Sequence, residues 1–200
     1  MVEKSESRIL RLGGFVLFLA SIAACLYAIC AEIGNASYAW AKFGSARLDL
    51  DRSMRLCDRA WRFYPRNYFT CSYAAEATFH APSGNATEKE KNLVRSKRWA
   101  LRGIRLNRYS RPLNLRWVAH LGREDLSLAI RHMRQYLELN FWHPYNHVVM
   151  AEFHAEAGDF DRADQSMYWA EGSEYQRRGW RQVNRAKHRY LENLPASSAP

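Results

Sequence analysis

The chain has 200 residues, 48% of them apolar and 14% aromatic, with a formal net charge of +10. That apolar share excludes a disordered chain, which would be poorer in aromatics, and the length suits one domain plus one further element. The positive excess favours anionic partners, among them acidic lipid, an acidic polymer, an acidic protein face or nucleic acid. Its simplest use is solubility plus attraction to a nearby anionic bilayer.

A short tail, residues 1–12, carries Lys4, Arg8 and Arg11 against Glu3 and Glu6. Next comes GGFVLFLASIAACLYAICA, Gly13 to Ala31, 19 residues without a charge. As a helix this run is about 28 Å long, enough to cross a hydrocarbon core. An uncleaved transmembrane anchor over 13–31 is the favoured reading, because the apolar run continues past every plausible cleavage point. A cleaved signal peptide would leave Leu26 to Ile29 at the start of the mature chain. A lipoprotein signal would use Ile22-Ala23-Ala24-Cys25, but Leu-Tyr-Ala-Ile follows where polar residues are usual. Lys4, Arg8 and Arg11 lie nearer the span than Lys42, Arg47 and Arg52. That asymmetry favours a cytoplasmic N-terminus with the remaining chain outside the cytoplasm, most simply at a bacterial inner membrane facing the periplasm. The sequons Asn35-Ala-Ser and Asn85-Ala-Thr matter only in a eukaryotic secretory route.

Beyond the anchor one spacing recurs. Leu50-Ser53-Cys57-Ala60, Leu93-Ser96-Ala100-Gly103, Leu126-Ala129-Met133-Tyr136 and Phe160-Ala163-Met167-Ala170 share offsets of 0, 3, 7 and 10. Such offsets fall on one stripe of an α-helix, where large residues fill a core and small ones admit a neighbouring helix. Successive stripes begin 43, 33 and 34 residues apart. The longest interval holds HAPSGNATE (80–88), rich in turn formers, and Thr87 to Glu90 offer a capping box to restart a helix. Cys57 and Cys71 lack zinc-site spacing and fall at core-type positions. Two buried thiols are therefore expected ahead of a disulfide, which would need an oxidising compartment. Shorter apolar stretches lie between the stripes, at 68–79, 113–121 and 146–157, and Pro112 and Pro144 stand where a new helix would begin. The organisation is helix pair after helix pair, about 34 residues each.

The stretches AGDFDRADQSMYWAE (157–171) and CDRAWRFYPRN (57–67) carry a resemblance to the tetratricopeptide repeat family, covering about residues 36–175. That resemblance implies an all-α fold, with the N-terminal transmembrane helix followed by a right-handed α-solenoid of about four helical hairpins over 36–174 and a C-terminal capping helix over 175–194. The copies depart from the family pattern: Tyr136 replaces the second small residue, only Pro65 matches the terminal proline, and the usual Trp and Leu-Gly signature of the first helices is missing. A generic helical bundle is the competing architecture. In the capping segment Trp180, Val183, Tyr190, Leu191 and Leu194 fall on one side, and Arg177, Arg178, Arg181, Arg185 and Lys187 form a basic face on the other. Residues 195–200, PASSAP, read as a frayed tail.

No nucleophile elbow, P-loop or dinucleotide fingerprint is present, so an enzyme is not expected. His143, His147 and His154 fall within about 40° on a helix, yet His143 precedes Pro144 and no further ligand accompanies them. Neither a metal nor another cofactor is expected. Arginines alternate with aromatics near the C-terminus, a pattern that can serve nucleic acid, but the aromatics share the core stripe and a solvated face is simpler. What remains is surface. Stacked helix pairs create a concave groove lined by first helices, and the candidates for it are Phe69, Ser72 and Glu76 in one pair and Tyr145, Val148, Glu152 and Ala155 in another. The resemblance implies a membrane-anchored scaffold that recruits a protein partner into a membrane-associated complex. An accessory subunit of an envelope polysaccharide or secretion machine, engaging an acidic polymer, is the alternative.

Overall fold

A computed structural model describes the backbone of residues 2–44 and 48–193, with side chains from Leu12 onward. Among the described residues there are nine helices and no strand. They are α1 (Val2–Phe43), α2 (Leu50–Phe63), α3 (Tyr68–Phe79), α4 (Ala86–Leu106), α5 (Arg111–Glu124), α6 (Leu126–Asn140), α7 (Pro144–Glu156), α8 (Phe160–Tyr168) and α9 (Gln176–Glu192). The described residues are all-helical, as the periodicity predicts.

The helix does not end where the charge-free run does. The expected tail (1–12), span (13–31) and start of the repeats at residue 36 are not separated by any break in the backbone: α1 runs unbroken for 42 residues. AEIGNASYAWAKF contains no proline and a single glycine, so nothing stops the helix until Phe43. Within residues 12–43 the most apolar stretch of 18 residues has a mean hydropathy of 2.3, and none of that stretch is buried within the chain. This helix is long and apolar enough to cross a membrane. Its second half does different work, packing along α2. Gly34 marks the close approach, since a Cβ there would lie 2.6 Å from the Tyr64 Cβ. Tyr27 meets Tyr64 edge to face, Asn67 Nδ2 donates to Asn35 Oδ1 at 3.0 Å, and the Tyr73 hydroxyl donates to the Ala41 carbonyl at 2.8 Å.

Helix starts are specified locally. Asp49, Asn67, Asn85, Asp125 and Asp159 each accept a backbone N–H in the first turn of α2, α3, α4, α6 and α8, satisfying a donor the helix itself cannot. Pro112 and Pro144 lie in the first turns of α5 and α7. For α4 the cap falls two residues before the expected Thr87. Asn85 accepts from the Glu88 N–H at 2.8 Å, and the Glu88 carboxylate accepts from the Gly84 N–H at 2.9 Å. A box anchored on Asn85 includes Ala86 and Thr87 in the helix, which lengthens it. Between α7 and α8 the chain reverses at Gly158, whose φ of 78° only glycine takes without strain.

All four stripes are buried in one pattern. Ser53, Cys57 and Ala60; Ser96, Ala100 and Gly103; Ala129, Met133 and Tyr136; and Ala163, Met167 and Ala170 are enclosed, while the leading Leu50, Leu93, Leu126 and Phe160 are half-buried. Helix α9 adds a fifth set at the same offsets: Gly179, Val183 and Ala186 are buried behind half-buried Gln176. Trp180 and Tyr190 flank it half-buried as expected, but Leu191 is 53% exposed. Gly179 and Ala186 do the packing instead, because a Cβ on Gly179 would lie 2.8 Å from Val148 and Met167, leaving no room for larger groups. Leu194 and the tail lie outside the described residues.

Each helix packs against its successor, and in addition α3 packs against α5 and α7 against α9. The interior divides into three apolar clusters in chain order: Cys57, Cys71, Trp99 and Leu113; then Val118, Met133, Tyr136 and Phe153; then Val148, Met167, Val183 and neighbours. Trp117 touches both the first and the second. Cys57 and Cys71 are free thiols in the first cluster, and burial pushes both up to about 12.

Candidate functional site

The starts of α5, α7 and α9 lie side by side. The Arg111 guanidinium meets the His143 ring, His143 lies 5.7 Å from the Tyr175 ring, and Tyr145 lies 5.3 Å from it. Downstream of that seam α5 and α7 stand further apart than α3 and α5 or α7 and α9. The space between them is a groove of about 680 Å³, lined by α3 (Glu76, Phe79), α5 (Pro112, Leu115, Arg116, Ala119, Gly122, Arg123) and α7 (Tyr145, Val149, Glu152, Phe153, Glu156), with Arg111 at its end. Ala119 and Gly122 keep the middle of α5 low. Phe153 leans over Gly122, where a Cβ would come within 2.8 Å of its ring.

The groove is walled by charge of both signs. On one side the Arg116 guanidinium pairs with Glu76, meets the His80 Nε2 at 3.1 Å and lies 3.9 Å over the Phe79 ring. Only 14% of its side chain is exposed, and its Nε has no partner among the described residues. Arg123 lies 5.1 Å over the same ring. A guanidinium held on an aromatic face is well placed to donate to a carboxylate or carbonyl through its terminal nitrogens. On the other side Glu152 and Glu156 project from α7. Burial and the neighbouring Glu156 push the Glu152 carboxyl upward, against the pull of Arg189, Arg178 and Arg185 on α9. Arg189 binds Glu156 at 2.6 Å and approaches Glu152 at 3.9 Å.

Beneath the groove a hydrogen-bonded relay ties three helices together. Ser96 Oγ donates to the Ala75 carbonyl at 2.8 Å, and the His120 Nε2 lies 2.9 Å from the Ser96 Oγ. The serine hydrogen is committed to Ala75, so His120 donates through Nε2–H. Its ring meets Phe79 edge to face at 5.3 Å. Burial, aided by Arg116 and Arg123, lowers His120 to about 4. The groove wall thus rests on a neutral histidine.

Of the expected groove residues, Glu76, Tyr145 and Glu152 come together here. Phe69 is 54% exposed and stacks on Tyr68 away from the groove, and Ser72 is half-buried outside it. Val148 and Ala155 need correction. They are 1% and 0% exposed and belong to the α7–α9 core, because α9 covers the side of α7 on which they lie. On the expected basic face Arg177, Arg178, Arg181 and Arg185 are exposed, whereas Lys187 is tied to Asp164 at 2.7 Å. The three histidines go to separate tasks: His143 caps α7, His147 stacks on Trp169, and His154 is buried 3.9 Å from Asp159.

Phe79, Arg116, Ala119 and Arg123 were not anticipated. Arg116 and Arg123 are seven residues apart on α5, a spacing that places both on one face. Their spacing was readable; their partner helices α3 and α7 were not. No protein-family model matches the chain, and no curated protein matches it in sequence.

Proposed function

We propose that the chain is a membrane-anchored helical-repeat scaffold, in which α1 spans the bilayer and the groove between α3, α5 and α7 receives a segment of a partner protein. The observation that carries this reading is the lining itself. It comes from the first helix of three successive hairpins and combines an apolar floor with an enclosed arginine and a row of glutamates. A peptide offers what such a surface takes: side chains for Leu115, Val149 and Phe153, a carbonyl or carboxylate for Arg116, and a basic or amide group for Glu152. The right-handed, tetratricopeptide-like solenoid is part of this proposal. It is supported by the five equivalent stripes and by contacts that run from each helix to the next and between alternate helices. A cytoplasmic N-terminus, with the repeats on the far side, follows from the placement of basic residues around the span. Tethering supplies a high local concentration of the groove at the membrane, so modest contacts suffice for recruitment.

An acidic polymer is the second reading, favoured by the three arginines that α5 presents at the groove. One experiment separates the two. A photo-crosslinking amino acid is placed at Ala119 on the floor, and in a second protein at Val94, which is 49% exposed on α4. After irradiation of intact membranes, a discrete protein adduct at Ala119, absent at Val94 and lost in Arg116→Ala, is the expected result. A glycan-containing smear favours the polymer. Equal labelling at both positions refutes a groove-borne partner.

A further inference from the structure

The domain has two edges, and they differ in chemistry. Because α1 and α2 pack side by side and Tyr27 meets Tyr64, the end of α2 lies beside the end of the apolar run. Asn35 binds Asn67 at the start of α3, a Cβ on Gly103 would touch both Cys71 and Leu113, and Arg111, His143 and Tyr175 form a string. These contacts place the starts of α3, α5, α7 and α9 on the edge from which α1 emerges. Along that edge lie Phe69, Tyr109, Phe141, Trp142, Tyr168 and Trp169, between 54% and 69% exposed. Few other large apolar side chains beyond α1 are exposed. Arg62, Arg66, Arg105, Arg108, Arg177 and Arg178 are exposed on this edge too, against Glu138, Glu171 and Glu174. The opposite edge carries the turns capped by Asp49, Asn85, Asp125 and Asp159; beyond α1, whose end exposes Trp40 and Phe43, its exposed large apolar side chains among the described residues are the aliphatic Leu128 and Leu191, with no aromatic row.

Depth agrees with this placement. Tyr27 lies four residues, about 6 Å, inside the end of the charge-free run, on the hydrocarbon side of the headgroup boundary when 13–31 crosses the core. Tyr64, in ring contact with Tyr27, therefore reaches that boundary whenever α1 spans. Since α2 runs alongside α1, helices upright on the membrane bring the whole edge to the same level. Tryptophan and tyrosine with arginine form the side-chain set that settles between acyl chains and phosphates, and continuity with the span selects a bilayer over a soluble partner.

Resting on the reading of α1 as a spanning anchor, we infer that the edge bearing Phe69, Tyr109, Trp142 and Trp169 lies in the anionic headgroup layer of the bilayer that α1 enters. The domain is then held flat on the membrane with its acid-capped edge outward, rather than swinging from a tether.

The test uses the full chain in nanodiscs of phosphatidylcholine and phosphatidylglycerol, in a Cys25→Ala, Cys30→Ala background; the enclosed Cys57 and Cys71 stay unlabelled. A nitroxide is attached in turn through Leu17→Cys, Tyr109→Cys, Trp142→Cys and Asp161→Cys, and its collisions with oxygen and with a water-soluble nickel chelate are compared by power saturation. Circular dichroism confirms that each variant is folded. Expected is strong oxygen excess at Leu17, an intermediate value at Tyr109 and Trp142, and nickel excess at Asp161. Lipid-like values at Leu17 with Tyr109 and Trp142 matching Asp161 overturn the inference and leave the anchor standing. An aqueous value at Leu17 overturns the anchor, and the inference with it.

Discussion

Acidification should weaken the fold through one histidine. His120 is 3% exposed and donates to Ser96, and burial holds it at about 4 against an ordinary 6.5. Its folded value is depressed, so as pH falls the unfolded chain takes the proton first. The stability contribution is complete above 6.5 and is lost as pH drops from there to about 4. Between about pH 7 and pH 4.5 the unfolded histidine becomes almost fully protonated while the folded one stays mostly neutral, and the difference amounts to about 2 kcal/mol. Urea unfolding of the full chain in detergent, followed by circular dichroism at both pH values, measures the loss. His132, His143 and His154 are lowered by burial as well and add to the slope, so the comparison must be internal. His120→Gln keeps an N–H for Ser96 and removes the titration. The wild-type chain should lose about 2 kcal/mol more than His120→Gln over this interval. Equal losses in the two proteins would refute the buried neutral histidine.

Ser96→Ala removes the acceptor that His120 uses and the donor that Ala75 uses, and should cost about 1–3 kcal/mol in the same urea assay. Arg116→Ala strips an enclosed guanidinium from Phe79, Glu76 and His80; because Glu76 is 53% exposed, the expected cost is only about 1–2 kcal/mol, with loss of the groove adduct as the larger effect. Gly34→Val forces α1 away from Tyr64 and should lower stability by about 1–3 kcal/mol, seen as a fall in the urea midpoint; an unchanged midpoint would mean that α1 and α2 are not in close contact. Cys57 and Cys71 should resist a thiol reagent at mildly alkaline pH in the folded protein and react on addition of urea, counted by mass spectrometry.

Much of the helical order was already written along the chain. Stripe residues such as Cys57, Ala100, Met133 and Met167 announce themselves, because an α-helix repeats its environment at fixed intervals and burial of one face demands apolar or small groups at those intervals. Prolines 112 and 144 marked helix starts for equally local reasons. Where short-range signals conflicted, placement slipped: Asn85 won over Thr87, and α1 continued past the charge-free run because nothing between Ala31 and Phe43 breaks a helix.

Other features required partners distant in sequence. Val148 and Ala155 follow the same periodicity as surface-lining positions, and only the arrival of α9, some 30 residues later, turns their side of α7 into core. Arg116 looked like one basic residue among 30 until α3 brought Glu76, Phe79 and His80 to it. Phe141, Trp142 and Trp169, read singly, are turn aromatics; only packing lines them up on the edge from which α1 departs. Periodicity records which residues of one helix share a face, a property of a single backbone. Which helix covers that face, and which faces are left open to form a groove or an edge, depends on how all nine pack together.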